Sequence, residues 1–344
     1  MITLPEWVTI AGYRTAWAAV RRMPAGAAYR MFDQVADLMV RRGGSGLARL
    51  RANYARVRPE LSDRELDELV RQGLRSYLRY ACDAFRLPDR TAEELDRTVR
   101  PIGDGPVREY LAAGRSVVVF VAHMGNWDAA GAWSTSHLAP VTTVAERLKP
   151  EAVFQEFFAF REKLGMTILP LTGGPDPFTG LKAAVQRGDF VALVADRDLT
   201  RGGVEVDFCG LRARMAKGPA VLALQSGAPL FAAEIHYEMA QPGRGLNGYE
   251  VIVGFSEQIV VPEQGTTAQR VAAMTQACAT FLEGAIRAHT EDWHMMQRVF
   301  VDDLDPARVA RSAAEDSEPA SPEAASSEAA SWQALPSTPP EATP

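Results

Sequence analysis

Over the first ninety residues the apolar positions recur at helical spacing. Trp7, Ile10, Tyr13, Trp17 and Val20 fall on one helical face with Arg14 and Arg21 near its edge, and Thr3 with Glu6 reads as a capping box at its start. Residues 26–56 and 62–86 also read as helical, joined by a turn at Arg58–Pro59, with Ser62 and Glu65 as a second capping box. Beyond residue 90 the rhythm alternates. β-rich runs at 116–122, 141–145, 167–171, 190–195, 204–208, 229–237 and 249–255 are interleaved with helical stretches at 129–137, 152–164, 180–187 and 218–225, and a long final helix is expected over 267–289. This alternation predicts an α/β fold: a mixed central sheet flanked by helices, preceded by an N-terminal helical segment. The expected organisation is a helical, membrane-apposed segment over 1–90, an α/β core over 91–302, and a tail over 303–344. The tail is rich in Ser, Pro, Ala and Glu (EPASPEAASSEAASWQ) and too poor in apolar residues to fold, so it is expected to be disordered.

Composition narrows the class. With 344 residues, 47% of them hydrophobic, the chain has material for one large core or two modest ones. A net charge of −6 carries no nucleic-acid signature. The charge is uneven: ten arginines face four acids in residues 1–60, while the tail is acidic. A basic helix carrying two tryptophans and a tyrosine suits either a membrane interface or docking on the protein's own core. Cys82, Cys209 and Cys278 are odd in number and far apart; they show neither metal-ligand spacing nor a disulfide framework, which fits a reducing compartment. The start is not a good signal peptide, because its charges follow the apolar stretch and Glu6 interrupts it. The charge-free run Trp7–Tyr13 falls far short of the ~20 residues that span a bilayer. The expectation is a protein soluble or peripheral to a membrane.

The chemistry concentrates where the run Ser116–Ala122 gives way to HMGNWD, His123 to Asp128. This reads as strand, turn, helix: Gly125 permits a tight turn, Asn126 is a plausible helix cap, and the carboxyl ends of strands in an open α/β sheet are where ligands bind. Residues five apart on a regular helix point about 140° away from each other. His123 therefore meets Asp128 only if it lies in the turn before the helix. So placed, a neutral imidazole takes a proton from a hydroxyl, and a carboxylate on its other nitrogen fixes the tautomer. The alternative is a histidine satisfied within the turn and an aspartate favoured by the helix dipole.

HMGNWD resembles the His-x4-Asp/Glu block of the bacterial lipid acyltransferases that include the lauroyl- and myristoyl-transferases of lipid A, and most closely the members that act on phosphatidylinositol mannosides. Supporting blocks follow in the family's order: AERLKP (Ala145–Pro150), REKLG (Arg161–Gly165), ADRDLTRGGVEVDFCG (Ala195–Gly210) and RMAKGPAVLALQSGAPLF (Arg214–Phe231). They cover roughly residues 115–235, with weaker likeness through Trp293–Phe300. The resemblance implies a glycerolipid-acyltransferase-like fold. It also implies transfer of an acyl group from acyl-CoA, as co-substrate and with no further cofactor or metal, to a sugar hydroxyl of a phosphatidylinositol mannoside at the cytoplasmic face of the membrane. His123 would be the general base and Asp128 its orienter. No covalent acyl-enzyme is expected, and the residues agree: there is no Gly-x-Ser-x-Gly and no cysteine in the block.

Further substrate-binding candidates are Asn126, Glu146, Arg161, Asp196, Arg197, Asp198, Glu205 and Arg214. Glu146 is placed to bind the acceptor sugar or brace His123, or else is a solvated carboxylate. Arg161 is placed to hold a phosphate or pair with an acid, or else is a plain surface-helix arginine. Asp196, Arg197 and Asp198 follow the strand FVALVA, and Asp196, directly at its end, is the favoured one. Glu205 lies in VEVDF, pointing inward or outward. Arg214 and Lys217 precede a helix start whose amides suit CoA phosphates. Trp127 and Trp133 line an acyl groove or belong to the core, and His137, His236, His289 and His294 are expected in the core or on the surface.

Overall fold

The computed structural model describes residues 15, 17–146, 151–198 and 202–304. The capping box at Thr3–Glu6, the end of the AERLKP block and the tail beyond 304 lie outside them.

A seven-stranded sheet runs β1(Val99–Ile102)-β9(Tyr249–Phe255)-β8(Leu230–Met239)-β2(Val117–Val121)-β5(Phe190–Val194)-β3(Val141–Ala145)-β4(Thr167–Pro170). All its neighbours are parallel except β8 and β9, which form an antiparallel hairpin. The mixed sheet expected from the pattern is present. Central β2, VVVFV, is buried along its whole length, as a strand covered on both faces must be. Its side chains alternate between two apolar layers. Val118 and Phe120 pack with α8(Pro177–Arg187), α9(Gly218–Ser226) and α10(Thr267–Ala288). Val117, Val119 and Val121 pack with α6(Trp127–His137) and Phe160 of α7(Glu151–Lys163).

The N-terminal helices are α1(Ala25–Arg42), α2(Ser45–Val57) and α3(Asp63–Arg86). Ser62 and Glu65 form the expected capping box at the start of α3. The stretch expected to be helical over 26–56 is broken in two, because Gly43 (φ 70°) and Gly44 (φ 149°) adopt positive φ between α1 and α2. Val20, Phe32 and Ala36 pack on Leu74 and Leu78 of α3. Trp17 docks on the protein's own helices: its indole N–H donates to the Phe85 carbonyl (2.8 Å), and its ring lies 5.8 Å from that of Phe160. For Trp17, the docked reading of the basic helix is the one the structure has.

Two short helices and two strands were not read from the pattern. α4(Ala92–Thr98) has its own capping box, Thr91 with Glu94, and α5(Gly105–Ala112) carries Pro106 in its first turn. β1 is an edge strand of four residues with Pro101 in it, which a sheet tolerates only at an edge. β7(Leu211–Met215) pairs antiparallel with β6(Val204–Phe208) in a separate two-stranded sheet. That hairpin is anchored to α10 where the Asp207 and Cys209 N–H groups donate to Gln276 and Glu283 (both 2.8 Å).

Candidate active site

The parallel register of β2 with β5 sets Val121 opposite Val194. Two residues further along each strand, past the ends of the ladder, the same register brings His123 beside Asp196. The His123 ring Nδ1 lies 2.6 Å from Asp196 Oδ1, and the His123 backbone N–H donates to Oδ2 (3.1 Å). Oδ2 also accepts from the indole N–H of Trp293 (2.9 Å). Asp196 is fully buried. Burial pushes its carboxyl upward, but the His123 ring, its N–H and Trp293 outweigh that and hold the group below the usual carboxylate range. An ionised Asp196 makes Nδ1 the protonated nitrogen and leaves the lone pair on Nε2.

The turn that presents His123 depends on glycine. Gly125 sits at φ +60°, and a Cβ there would lie 2.2 Å from the Ile235 carbonyl oxygen. Asn126 then caps α6, its Oδ1 accepting from the Ala129 N–H (2.9 Å), while its amide donates to Asp83 (3.1 Å). Asn126 is buried with both polar atoms engaged. The cap expected from the sequence is there; direct contact of Asn126 with substrate is not what this placement provides.

The expected partnership of His123 with Asp128 is not formed. His123 lies in the turn, as that pairing requires, but Asp128 bonds elsewhere. Its Oδ1 accepts from Arg161 Nε (2.7 Å), and its Oδ2 accepts from Arg161 Nη2 (3.3 Å) and the Tyr80 hydroxyl (2.9 Å). Asp128 is the first-turn acid of α6 and is buried against α3 and α7, so its side chain serves the helices rather than the ring. Burial would lower Arg161, yet Asp128 and Tyr80 raise it well above its ordinary value, so it stays charged. Burial and the Asp128 charge likewise push the Tyr80 phenol up, leaving it a neutral donor. Of the readings for Arg161, pairing with an acid is the one observed.

The other candidates lie around this centre. Glu146, at the end of β3, pairs with Arg197 beyond β5 (3.3 Å). Asp198 donates its N–H to the Arg214 carbonyl (2.8 Å). Glu205 projects outward from β6 and accepts from Arg214 Nη2 (2.7 Å), and Arg214 with Arg212 holds it below the usual carboxylate range. Arg214 belongs to β7 rather than to the turn before α9, where the sequence placed it; Lys217 is at that turn.

The sequence did not single out the strap behind the turn, residues 290–296. The Gly125 N–H donates to the Asp292 carbonyl (2.9 Å), and the His294 N–H donates to the His123 carbonyl (2.8 Å). Asp292 accepts from Ser76 and from the Tyr237 N–H, and Ser76 lies 3.0 Å from His294 Nε2. This resembles a Ser-His-Asp set, but all three residues are buried, so Ser76 cannot meet a substrate as nucleophile. Burial and the positive Arg79 push His294 down to about 3, keeping it neutral, and burial raises Asp292 to about 6. His294, expected in the core or on the surface, lies in the core. The only sign of this strap in the sequence was the weak likeness through Trp293–Phe300. Burial also pushes the thiols of Cys82, Cys209 and Cys278 up to about 12, so none carries a thiolate near neutral pH. No helix among the described residues is long and apolar enough to cross a membrane.

A half-buried imidazole beside a buried carboxylate at the carboxyl ends of two parallel strands has the chemistry to take a proton from a hydroxyl. Comparison with known proteins gives the same neighbourhood. The chain is 40% identical over 311 residues to a phosphatidylinositol mannoside acyltransferase of Mycolicibacterium smegmatis, covering 90% of this chain and 97% of that protein. It is 41% identical over 314 residues to the protein of the same name from Mycobacterium tuberculosis H37Rv, covering 90% and 92%. Residues 2–301 match the family described as bacterial lipid A biosynthesis acyltransferase, and the chain belongs to that family.

Proposed function

We propose that the protein transfers a long-chain acyl group from acyl-CoA to a mannose hydroxyl of phosphatidylinositol mannosides, with His123 as general base oriented by Asp196. The 2.6 Å contact between Nδ1 and Asp196 at the strand ends carries the mechanism; the names of the relatives carry the acceptor. His123 Nε2 takes the hydroxyl proton as the oxygen attacks the thioester carbon. The C–S bond breaks as the tetrahedral intermediate collapses, and the imidazolium returns its proton to the leaving CoA thiolate. Asp196, ionised and buried, stabilises the imidazolium in between. The thioester is already activated, so no acyl-enzyme and no cofactor are needed. Asp128 and Arg161, locked to Tyr80, brace α6 against α3 and α7 beside the base.

The protein works at the cytoplasmic face of the membrane as a peripheral enzyme. Exposed Arg22, Arg30, Arg41 and Arg42 near the N-terminus offer positive charge to anionic headgroups. The test mixes purified protein with labelled palmitoyl-CoA and separate acceptors: phosphatidylinositol mannosides, phosphatidylinositol, a lysophospholipid and a lipid A precursor. Label on the mannosides alone, abolished in His123→Ala, is the expected result. Label on another acceptor corrects the substrate and keeps the chemistry. No transfer from a folded protein with either CoA or carrier-protein donors overturns the catalytic reading in favour of a lipid-binding protein.

A further inference from the structure

We infer that Trp293 is a positioning residue for the base: its indole fixes the Asp196 carboxylate in the rotamer that serves His123. This rests on the dyad proposed above and extends it to a residue some 170 positions away in the chain. Asp196 has two oxygens with different duties. Oδ1 faces the ring, while Oδ2 is held from two sides, by the His123 N–H at 3.1 Å and by Trp293 Nε1 at 2.9 Å. A carboxylate is free to turn about its last bond, so one backbone donor alone does not fix its plane; a second donor of fixed direction does. The indole supplies one N–H and accepts nothing, so its sense cannot reverse.

Trp293 is itself immobile. It is completely buried, its ring lies 5.9 Å from that of Phe208, and its backbone forms an antiparallel bridge with Met124. The flanking Asp292 carbonyl and His294 N–H hold the backbone of Gly125 and His123. One short segment thus fixes both halves of the dyad: the turn through its backbone, the carboxylate through its indole. Being buried, Trp293 touches no substrate and acts only through Asp196.

The test compares wild type, Trp293→Phe, Asp196→Asn and the double variant. Phenylalanine keeps most of the ring packing and deletes the donor. The expected result is a fall in kcat of about 10- to 100-fold, the scale for losing a charge-assisted hydrogen bond at a site where it counts. KM for both substrates stays within about twofold, and the effect is absent in the Asp196→Asn background. A fall that persists undiminished in that background, or wild-type kcat in Trp293→Phe, overturns the inference. If Asp196→Asn itself is fully active, the dyad reading fails instead. A readout without turnover separates the two: the downfield Nδ1–H proton resonance of the His–carboxylate pair, present in wild type, is expected to broaden or vanish in Trp293→Phe. Its retention unchanged also overturns the inference.

Discussion

Replacing Asp196 by asparagine tests the dyad at the level of single protons. The side chain is isosteric and neutral, so it fits the buried site without a stranded charge. Its carbonyl oxygen, placed where Oδ2 now lies, keeps both the Trp293 N–H and the His123 N–H. The amide is then forced into the Oδ1 position, 2.6 Å from Nδ1 in the native protein, where it can only donate. Nδ1 must become the acceptor and the ring proton moves to Nε2, the atom that has to receive the substrate's proton. The equivalent change in the serine-protease triad lowers kcat about 10⁴-fold by this route. General-base catalysis by a positioned side chain contributes about 10²- to 10⁴-fold. We therefore expect kcat for acyl transfer to fall by about 10²- to 10⁴-fold, roughly 3–5 kcal/mol of barrier, with little change in melting temperature. The assay is the initial rate of label transfer from palmitoyl-CoA to the acceptor in mixed micelles, beside thermal unfolding followed by circular dichroism. Asp196→Asn within threefold of wild type, while Asp128→Asn abolishes turnover at unchanged stability, would return the orienting role to Asp128 and refute the reasoning.

Asp128→Ala leaves the half-buried Arg161 charged and without its carboxylate beside Tyr80, so it should destabilise the fold by about 1–3 kcal/mol, measured by urea unfolding; unaltered stability counts against the brace. Gly125→Ala forces a side chain into a left-handed turn and into the Ile235 carbonyl. It should cost more than about 2 kcal/mol and impair transfer, and a stable, active variant contradicts the turn geometry. Ser76→Ala should keep most of its turnover and show no acyl adduct to lose by intact mass, because the buried Ser76 serves the strap alone. Stability should also fall on acidification. His294 and His236 are held near 3 and about 4, below their ordinary value of 6.5, chiefly by burial. The unfolded chain therefore binds more protons than the folded one between pH 6.5 and about 4, and stability is lost as pH falls through that window. Asp292, raised to about 6, and Asp83 and Glu234, also raised by burial, oppose this toward the acid end, so the two imidazoles set the slope at the top of the window. Urea midpoints that do not fall from pH 7 to pH 6 would contradict it.

β2 and β5 are legible as unbroken apolar runs, as expected of parallel strands covered on both faces; β3 and β9 are legible because β-branched and aromatic residues dominate Val141–Ala145 and Tyr249–Phe255. β1 and β7 escaped for opposite reasons. VRPI is too short and holds a proline, and LRARM spends alternate positions on arginines that point away from the core. The site divided in the same way. His123, Gly125 and Asn126 are local to one turn, and their roles there followed from residue type and spacing. The carboxylate partner was not local. Proximity in sequence favoured Asp128, whereas strand register, which no single strand reveals, delivered Asp196. Asp196 stands out in the sequence for its place at a strand end, but its pairing with His123 follows only from β2 and β5 being neighbours. Trp293 was harder still, since its role depends on the chain's return after the last long helix.

That return bears on how the protein comes to be active in a cell. His123 is made early, Asp196 some seventy residues later, and the segment that secures both is translated only after the whole of α10. During synthesis the histidine and its carboxylate can be present on the nascent chain with neither the turn nor the rotamer fixed. On the dyad proposed above, competence waits until residues 292–294 dock. A truncation that removes only residues 293–304 leaves every strand of the central sheet in the chain and is expected to be inactive, so on that reading synthesis and activation are separated by the order in which the chain is written.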